Sequence, residues 1–289
     1  MSKNKYAYFI GCTTPSRVPN YDLSTRRIMD RLGIKLIDMP NAGCCGLYYE
    51  LIDELTHLSM AARIISIAED LKIDLMVICN GCNGSLIRAN KKLRQNPEIK
   101  DKVNEILADI DREFRGIIDV KHYVRVLWED IGIDRIKKNV VKELNIKVGA
   151  HYGCHLLKPS DDIKFDNPKE PQSLDQLIEI TGAKSIDYYD KQLCCGGYVL
   201  TADKRVAYTM AGEKLRNVRS AGADIMVTVC PFCNVIYDAN QRAIETEIKE
   251  SFNIPVLHYP QLLGLAMGYS FRDLGLEQNR IRINPKLFE

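Results

Sequence analysis

Short apolar runs alternate with longer stretches of helical periodicity along this chain, and the alternation is played through twice. In the first half, Tyr6 to Ile10, Lys35 to Met39 and Leu75 to Cys79 read as buried strands. Lys147 to Tyr152, Ser185 to Tyr189 and Ile225 to Val229 are their counterparts in the second. Between them, apolar residues recur near helical spacing: Leu51, Leu55, Leu58, Ala62, Ile65 and Leu71, then Val206, Met210, Leu215 and Val218. A further helical stretch follows in each half, from Ser85 to near Lys92 and from Val235 to near Glu250. Val120 to Tyr123 and Val256 to Tyr259, both Val-x-His-Tyr, read as a fourth strand. Strands and helices alternating at this spacing predict parallel sheets flanked by helices, an α/β fold.

The two halves also match in sequence. Ser24 to Pro40 aligns with Ser173 to Tyr189, Asn41 to Gly46 with Lys191 to Gly196, and Asp74 to Cys79 with Asp224 to Cys230. The offset stays at 149 to 151 from Ser24 to Cys82 and is 142 at Cys12. A period of about 150 residues is too long for a solenoid. It predicts a duplicated domain, 1–145 and 146–289, with two Rossmann-like parallel sheets related by a pseudo-two-fold axis.

Composition narrows the function. Hydrophobic residues make up 46% and charged residues 27% of the 289 positions, which excludes a disordered chain. A net charge of +2 gives no electrostatic case for nucleic acid. No apolar run approaches the roughly 18 residues of a membrane span. Met1 to Lys5 leads at once into a strand, leaving no room for a signal peptide, so the expected location is cytoplasmic.

The ten cysteines change the picture most. They fall as Cys12, Cys44, Cys45, Cys79 and Cys82, then Cys154, Cys194, Cys195, Cys230 and Cys233. Both sets read C…C-C…C-x2-C, and each group lies just past the carboxyl end of a predicted strand, where open α/β sheets bind ligands. Odd-numbered sets in a chain expected to stay reduced argue against disulfides and for metal ligation. Five thiolates are one too many for a structural zinc or a cubane cluster. A larger or opened iron–sulfur cluster fits, as do four ligands with one reactive thiol, and zinc remains the rival metal.

These residues resemble the paired cysteine-rich motifs of the heterodisulfide reductase B subunit, over nearly the whole chain from Ala7 to Leu262. The resemblance implies two noncubane 4Fe-4S clusters, one on each five-cysteine set. It implies reduction of the mixed disulfide of coenzyme M and coenzyme B, the last step of methanogenesis, one electron from each cluster, with Cys45 and Cys195 essential. The chain lacks a ferredoxin cysteine run and a dinucleotide fingerprint, so electrons must come from other polypeptides. The family implies a ferredoxin-like C subunit together with a flavoprotein A subunit, with a hydrogenase or formate dehydrogenase upstream. Related modules serve hydroxy-acid and sulfur oxidation, and a zinc-stabilised scaffold is the non-catalytic alternative.

Both coenzymes are anionic, so cations are candidates for binding them: Arg17, Lys158, Lys204 and Arg205. His155, directly after Cys154, is placed to protonate or hydrogen-bond a sulfur. His122 and His258 occupy equivalent positions and read as structural. Lys91 to Arg94 reads as a solvated helix face or a contact with another subunit, and the tail from Tyr269 to Glu289 as a docking segment at most.

Overall fold

A computed structural model describes residues 4–289. Lys5–Phe9 (β1), Lys35–Asp38 (β2), Leu75–Val77 (β3) and Val120–His122 (β4) form one parallel sheet in the order β2-β1-β3-β4. Lys147–His151 (β5), Lys184–Ile186 (β6), Ile225–Thr228 (β7) and Val256–His258 (β8) form a second in the order β6-β5-β7-β8. The two orders are the same, and the eight predicted strands are present. Registers correspond as well: Lys5 pairs with Lys35 and Ala7 with Leu75, as Lys147 pairs with Lys184 and Gly149 with Met226.

Both faces of the inner strands β1, β3, β5 and β7 are buried, and the strand alternation divides them. Tyr6 and Tyr8 of β1 meet Val148 and Ala150 of β5 in one central core, while Ala7 and Phe9 face a core of the first half alone. In β7, Ile225 and Val227 join the central core and Met226 joins one confined to the second half. The two halves are thus fused through an apolar interior that takes residues from Tyr6 to Phe288.

In each sheet the chain runs from the first strand to one side, then returns to the other. That leaves a switch point between β1 and β3, and another between β5 and β7. Loops leaving such neighbours diverge and open a crevice at the carboxyl ends of the strands. The cysteines sit on these loops.

Several elements differ from expectation. The helix expected from Leu51 runs Glu54–Asp70, because the Asp53 carboxylate caps it by accepting from the Leu55 and Thr56 amides. Leu51 stands outside it and 85% exposed. The helix expected from Ser85 starts at Asn80, taking Cys82 into its first turn. Its counterpart starts at Pro231, passes through a π turn at Val235–Ala239 and ends at Ile248. Pro97–Ala108 is a helix that the sequence pattern did not reveal. Lys91 to Arg94 lies on a part-exposed helix face whose cations are paired within the chain: Lys91 with Asp162 at 2.6 Å, Lys92 with Glu54, and Arg94 with Asp119 at 3.1 Å.

The tail, too, is partnered within the chain. Leu274, Leu276, Ile283 and Phe288 are buried in the central core. Asn279 Nδ2 donates to the Val256 carbonyl at 2.7 Å, and Asn20 Nδ2 of the first half donates to Asn279 Oδ1 at 3.0 Å. The buried Asp238 carboxylate accepts the Arg280 and Ile281 amides at 2.7 and 2.9 Å. Asp238→Ala is expected to cost roughly 1–3 kcal/mol by leaving these amides without their acceptor. Limited proteolysis should then cut first in the tail; a resistant tail and unchanged denaturation midpoint would remove Asp238 from this role.

Candidate metal centre

All ten cysteines line one cavity of about 400 Å³ between the two switch points. None forms a disulfide. Cys79 and Cys230 immediately precede helices and Cys82 and Cys233 lie within their first turns. Free backbone amides there favour a thiolate, but S–H donation to neighbouring sulfurs pushes Cys79, Cys82 and Cys233 up, and Cys230 alone of the four is lowered. Cys12 follows β1, and Cys154 follows β5. Each Cys-Cys pair enters from a loop held by a cation on the following long helix. Arg63 donates to the Ala42 carbonyl at 2.8 Å and to that of Asn41. The fully buried Lys214 donates to the carbonyls of Asp190 and, at 3.1 Å, Leu193. Gly46 and Gly196 then turn the chain with φ of 75° and 78°, a region that favours glycine.

The thiols form a single run of neighbours: Cys12, Cys44, Cys45, Cys82 and Cys79, then Cys230, Cys233, Cys195, Cys194 and Cys154. Read from either end, equivalent residues follow in the same order. The two sets touch at the centre, where Cys79 Sγ and Cys230 Sγ are 3.9 Å apart. Crowded thiols cannot all ionise. S–H donation from Cys154 and Cys195 pulls Cys194 down to about 2, and donation from Cys44 and Cys82 lowers Cys45. The same contact with Cys194, together with burial, drives Cys154 far upward. Soft anionic donors concentrated in this way suit soft metals, and an all-sulfur set suits iron–sulfur clusters.

One residue joins the two sets from below. Tyr21, on the helix Pro19–Arg31, shares its hydroxyl hydrogen between the Ile78 and Val229 carbonyls at 2.9 and 3.0 Å. These residues immediately precede Cys79 and Cys230. The His258 ring stacks on Tyr21 with centroids 3.9 Å apart, and His122 is buried. On the solvent side, Tyr48 and Tyr198 stack across the halves at 4.9 Å and 6°, forming part of the cavity lining.

His155 lines the cavity. Its Nδ1 lies 3.5 Å from Arg88, whose guanidinium is held on both oxygens of Glu50 at 2.5 Å. Asn83 Nδ2 donates to the His155 carbonyl at 3.0 Å, and Asn80 Nδ2 to that of Tyr152 at 2.7 Å. The first half therefore positions His155 of the second. Gly84 permits this, since a Cβ there would lie 2.6 Å from His155 Nδ1.

The four candidate cations are not brought to the cavity lining. Arg17, Lys158 and Arg205 are exposed on the outer surface, and exposed Lys204 lies over the Tyr208 ring at 5.2 Å. A short helix, Thr13–Arg17, carries Arg17 away from Cys12, and the helix Lys204–Ser220 starts outside the crevice. Sequence reasoning missed Tyr48 and Tyr198, although both follow their Cys-Cys-Gly motifs at the repeat offset. It also missed Arg88 and Glu50, which carry no motif.

Residues 6–87 and 148–236 match the model of a cysteine-rich domain family. The chain is 40% identical to the B subunit of the ferredoxin:CoB-CoM heterodisulfide reductase of Methanosarcina mazei, over 96% of this chain and 94% of that relative. It is 30% identical to the 8-methylmenaquinol:fumarate reductase membrane anchor subunit of Wolinella succinogenes, over 96% and 98%. Among the described residues no helix is long and apolar enough to cross a membrane. A crystal structure of a hypothetical protein from Helicobacter pylori superposes with a TM-score of 0.76 at 19% identity, covering 97% of this chain and 52% of that one. That likeness shows the shared fold.

Proposed function

The chain belongs to the B-subunit family of heterodisulfide reductase, built on two cysteine-rich domains, and from that premise we propose that it reduces the mixed disulfide of coenzyme M and coenzyme B. The observation that carries this reading is the meeting of both five-cysteine sets in one cavity, 3.9 Å apart at Cys79 and Cys230. Cys12, Cys44, Cys45, Cys79 and Cys82 would hold one noncubane 4Fe-4S cluster, and Cys154, Cys194, Cys195, Cys230 and Cys233 the other. Such groups, when bound, supply single electrons and an iron to which sulfur can attach.

Splitting a disulfide into two thiols takes two electrons and two protons. Two sets around one cavity match that demand. The chain's own residues orient the substrate and exclude water. The lining is mostly apolar, and Tyr48 and Tyr198 narrow its mouth. Arg88 can only donate, so it favours a lone pair on His155 Nδ1 and leaves the hydrogen on Nε2. That N–H is free to stabilise a thiolate released in the cavity. Leu51 and Ile52, 85% and 80% exposed next to the loop Leu47–Tyr49, support docking of an electron-donating partner. The ferredoxin-like C subunit, fed by the flavoprotein A subunit together with a hydrogenase or formate dehydrogenase, would take that place in the cytoplasm.

Anaerobically purified protein is expected to carry about eight irons per chain, two clusters of four. It should reduce the mixed disulfide with a low-potential one-electron dye as donor. Two zincs per chain with negligible iron would refute the redox reading and return the protein to a scaffold role.

A further inference from the structure

The second cysteine set is not a copy of the first. With Cys12 aligned to Cys154, Phe9 at the end of β1 corresponds to His151 at the end of β5. Phe9 packs among apolar neighbours of the first half. His151 is fully buried, yet neither ring nitrogen has a hydrogen-bond partner. Its described ring contact is edge-on to Tyr237 at 5.0 Å. Buried polar atoms in native folds are nearly always satisfied. The His258 nitrogens are also without partners, but that ring stacks on Tyr21, whereas His151 lies beside sulfur. A ring nitrogen of His151, Cys195 Sγ and Cys233 Sγ lie within 4.8 Å of one another. That spacing brings the ring within reach of a group bound by those two sulfurs.

We propose that His151 donates an N–H hydrogen bond to a sulfur of the iron–sulfur group held by the second set, a contact the first set cannot make; this rests on the function proposed above. In either protonation state at least one imidazole nitrogen carries a hydrogen. Hydrogen bonds to cluster sulfurs are one of the terms that set reduction potential, and they favour the reduced, more negative form. The second site is therefore more readily reduced than the first. Lys214 acts in the same direction: its ammonium is fully buried, with Asp190 3.9 Å away balancing part of its charge, whereas Arg63, which holds the corresponding loop of the first half, is only half-buried. The two ends of an unsymmetrical disulfide thus meet electron donors of unequal strength.

The test uses the full chain, purified anaerobically, with redox titration followed by electron paramagnetic resonance. Wild type is expected to show two midpoint potentials. His151→Phe, which installs the first half's residue, should keep the iron and lower only the upper midpoint. His151→Asn retains an N–H and should preserve much of the gap between them. Labelling with ¹⁵N-histidine should show a weak nitrogen coupling in one signal, lost in His151→Phe. Full iron with both midpoints unmoved in His151→Phe would overturn the proposal. Loss of iron from the second site alone, with strong coupling in wild type, would also overturn it by making His151 a ligand. Wild type without iron would refute the earlier reading instead.

Discussion

Replacing Cys195 with serine is expected to abolish disulfide reduction while leaving the other half loaded. Cys195 is 5% exposed and lies between Cys194 and Cys233 in the run of thiols. It also accepts the Gly197 amide at 3.3 Å. Serine offers a hard oxygen whose ionisation the buried site disfavours, so it does not substitute for a soft thiolate. Iron should fall from about eight to about four per chain, with turnover at the uncatalysed level. Cys45→Ser should do the same to the first set, where Cys45 is equally buried between Cys44 and Cys82. Iron analysis and turnover measured on one preparation separate the outcomes. A variant with one set empty that still carries out the full two-electron reduction would show that the sets do not act as a pair.

The second large effect is on stability, at Tyr21. The ring is fully buried in the central core, and its one hydroxyl hydrogen is shared by carbonyls of both halves. Tyr21→Ala removes the ring from a packed interior, removes the stacking surface of His258, and leaves two buried carbonyls without their donor. Deletions of large aromatic side chains cost about 3–5 kcal/mol. Against a total of about 5–15 kcal/mol, such a loss brings the chain near its unfolding threshold. Tyr21→Phe keeps the ring and should cost roughly 1–3 kcal/mol, the penalty for leaving buried carbonyls without their donor. Denaturant unfolding of both variants separates packing from bonding. Equal losses would mean that the hydroxyl, rather than the ring, holds the halves together.

The inner strands were legible because both of their faces are buried, which makes runs such as Tyr6 to Phe9 and Ile225 to Thr228 continuously apolar or nearly so. The meeting of the cysteines in one cavity was legible because both sets repeat one spacing, each group just past the carboxyl end of a strand. Charges are harder to place, because spacing along the chain does not say where an exposed side chain points. Arg17 and Lys204 lie near cysteine motifs in sequence but outside the cavity, whereas Arg88 lies far from Cys154 in sequence yet reaches His155. The tail was illegible for a related reason. Leu274, Leu276 and Ile283 are too scattered to form a pattern, and their burial depends on a surface made by the rest of the chain. His151 shows both sides of this. Its replacement of Phe9 is visible in the aligned repeat, but only the fold reveals that the ring has no partner.

The shared interior fixes an order of manufacture. A nascent chain released by the ribosome only as far as the first half carries five cysteines and the inward faces of Tyr6, Tyr8 and Ile28, with none of the residues that later cover them. Val148, Leu177 and Tyr259 arrive only with the second half, and Phe288 later still. The cavity therefore forms only once the second half has been made, since Cys154 to Cys233 supply half of its sulfur lining. The same dependence joins the halves for good: a gene cut at the repeat boundary would yield two polypeptides, each with an uncovered apolar face.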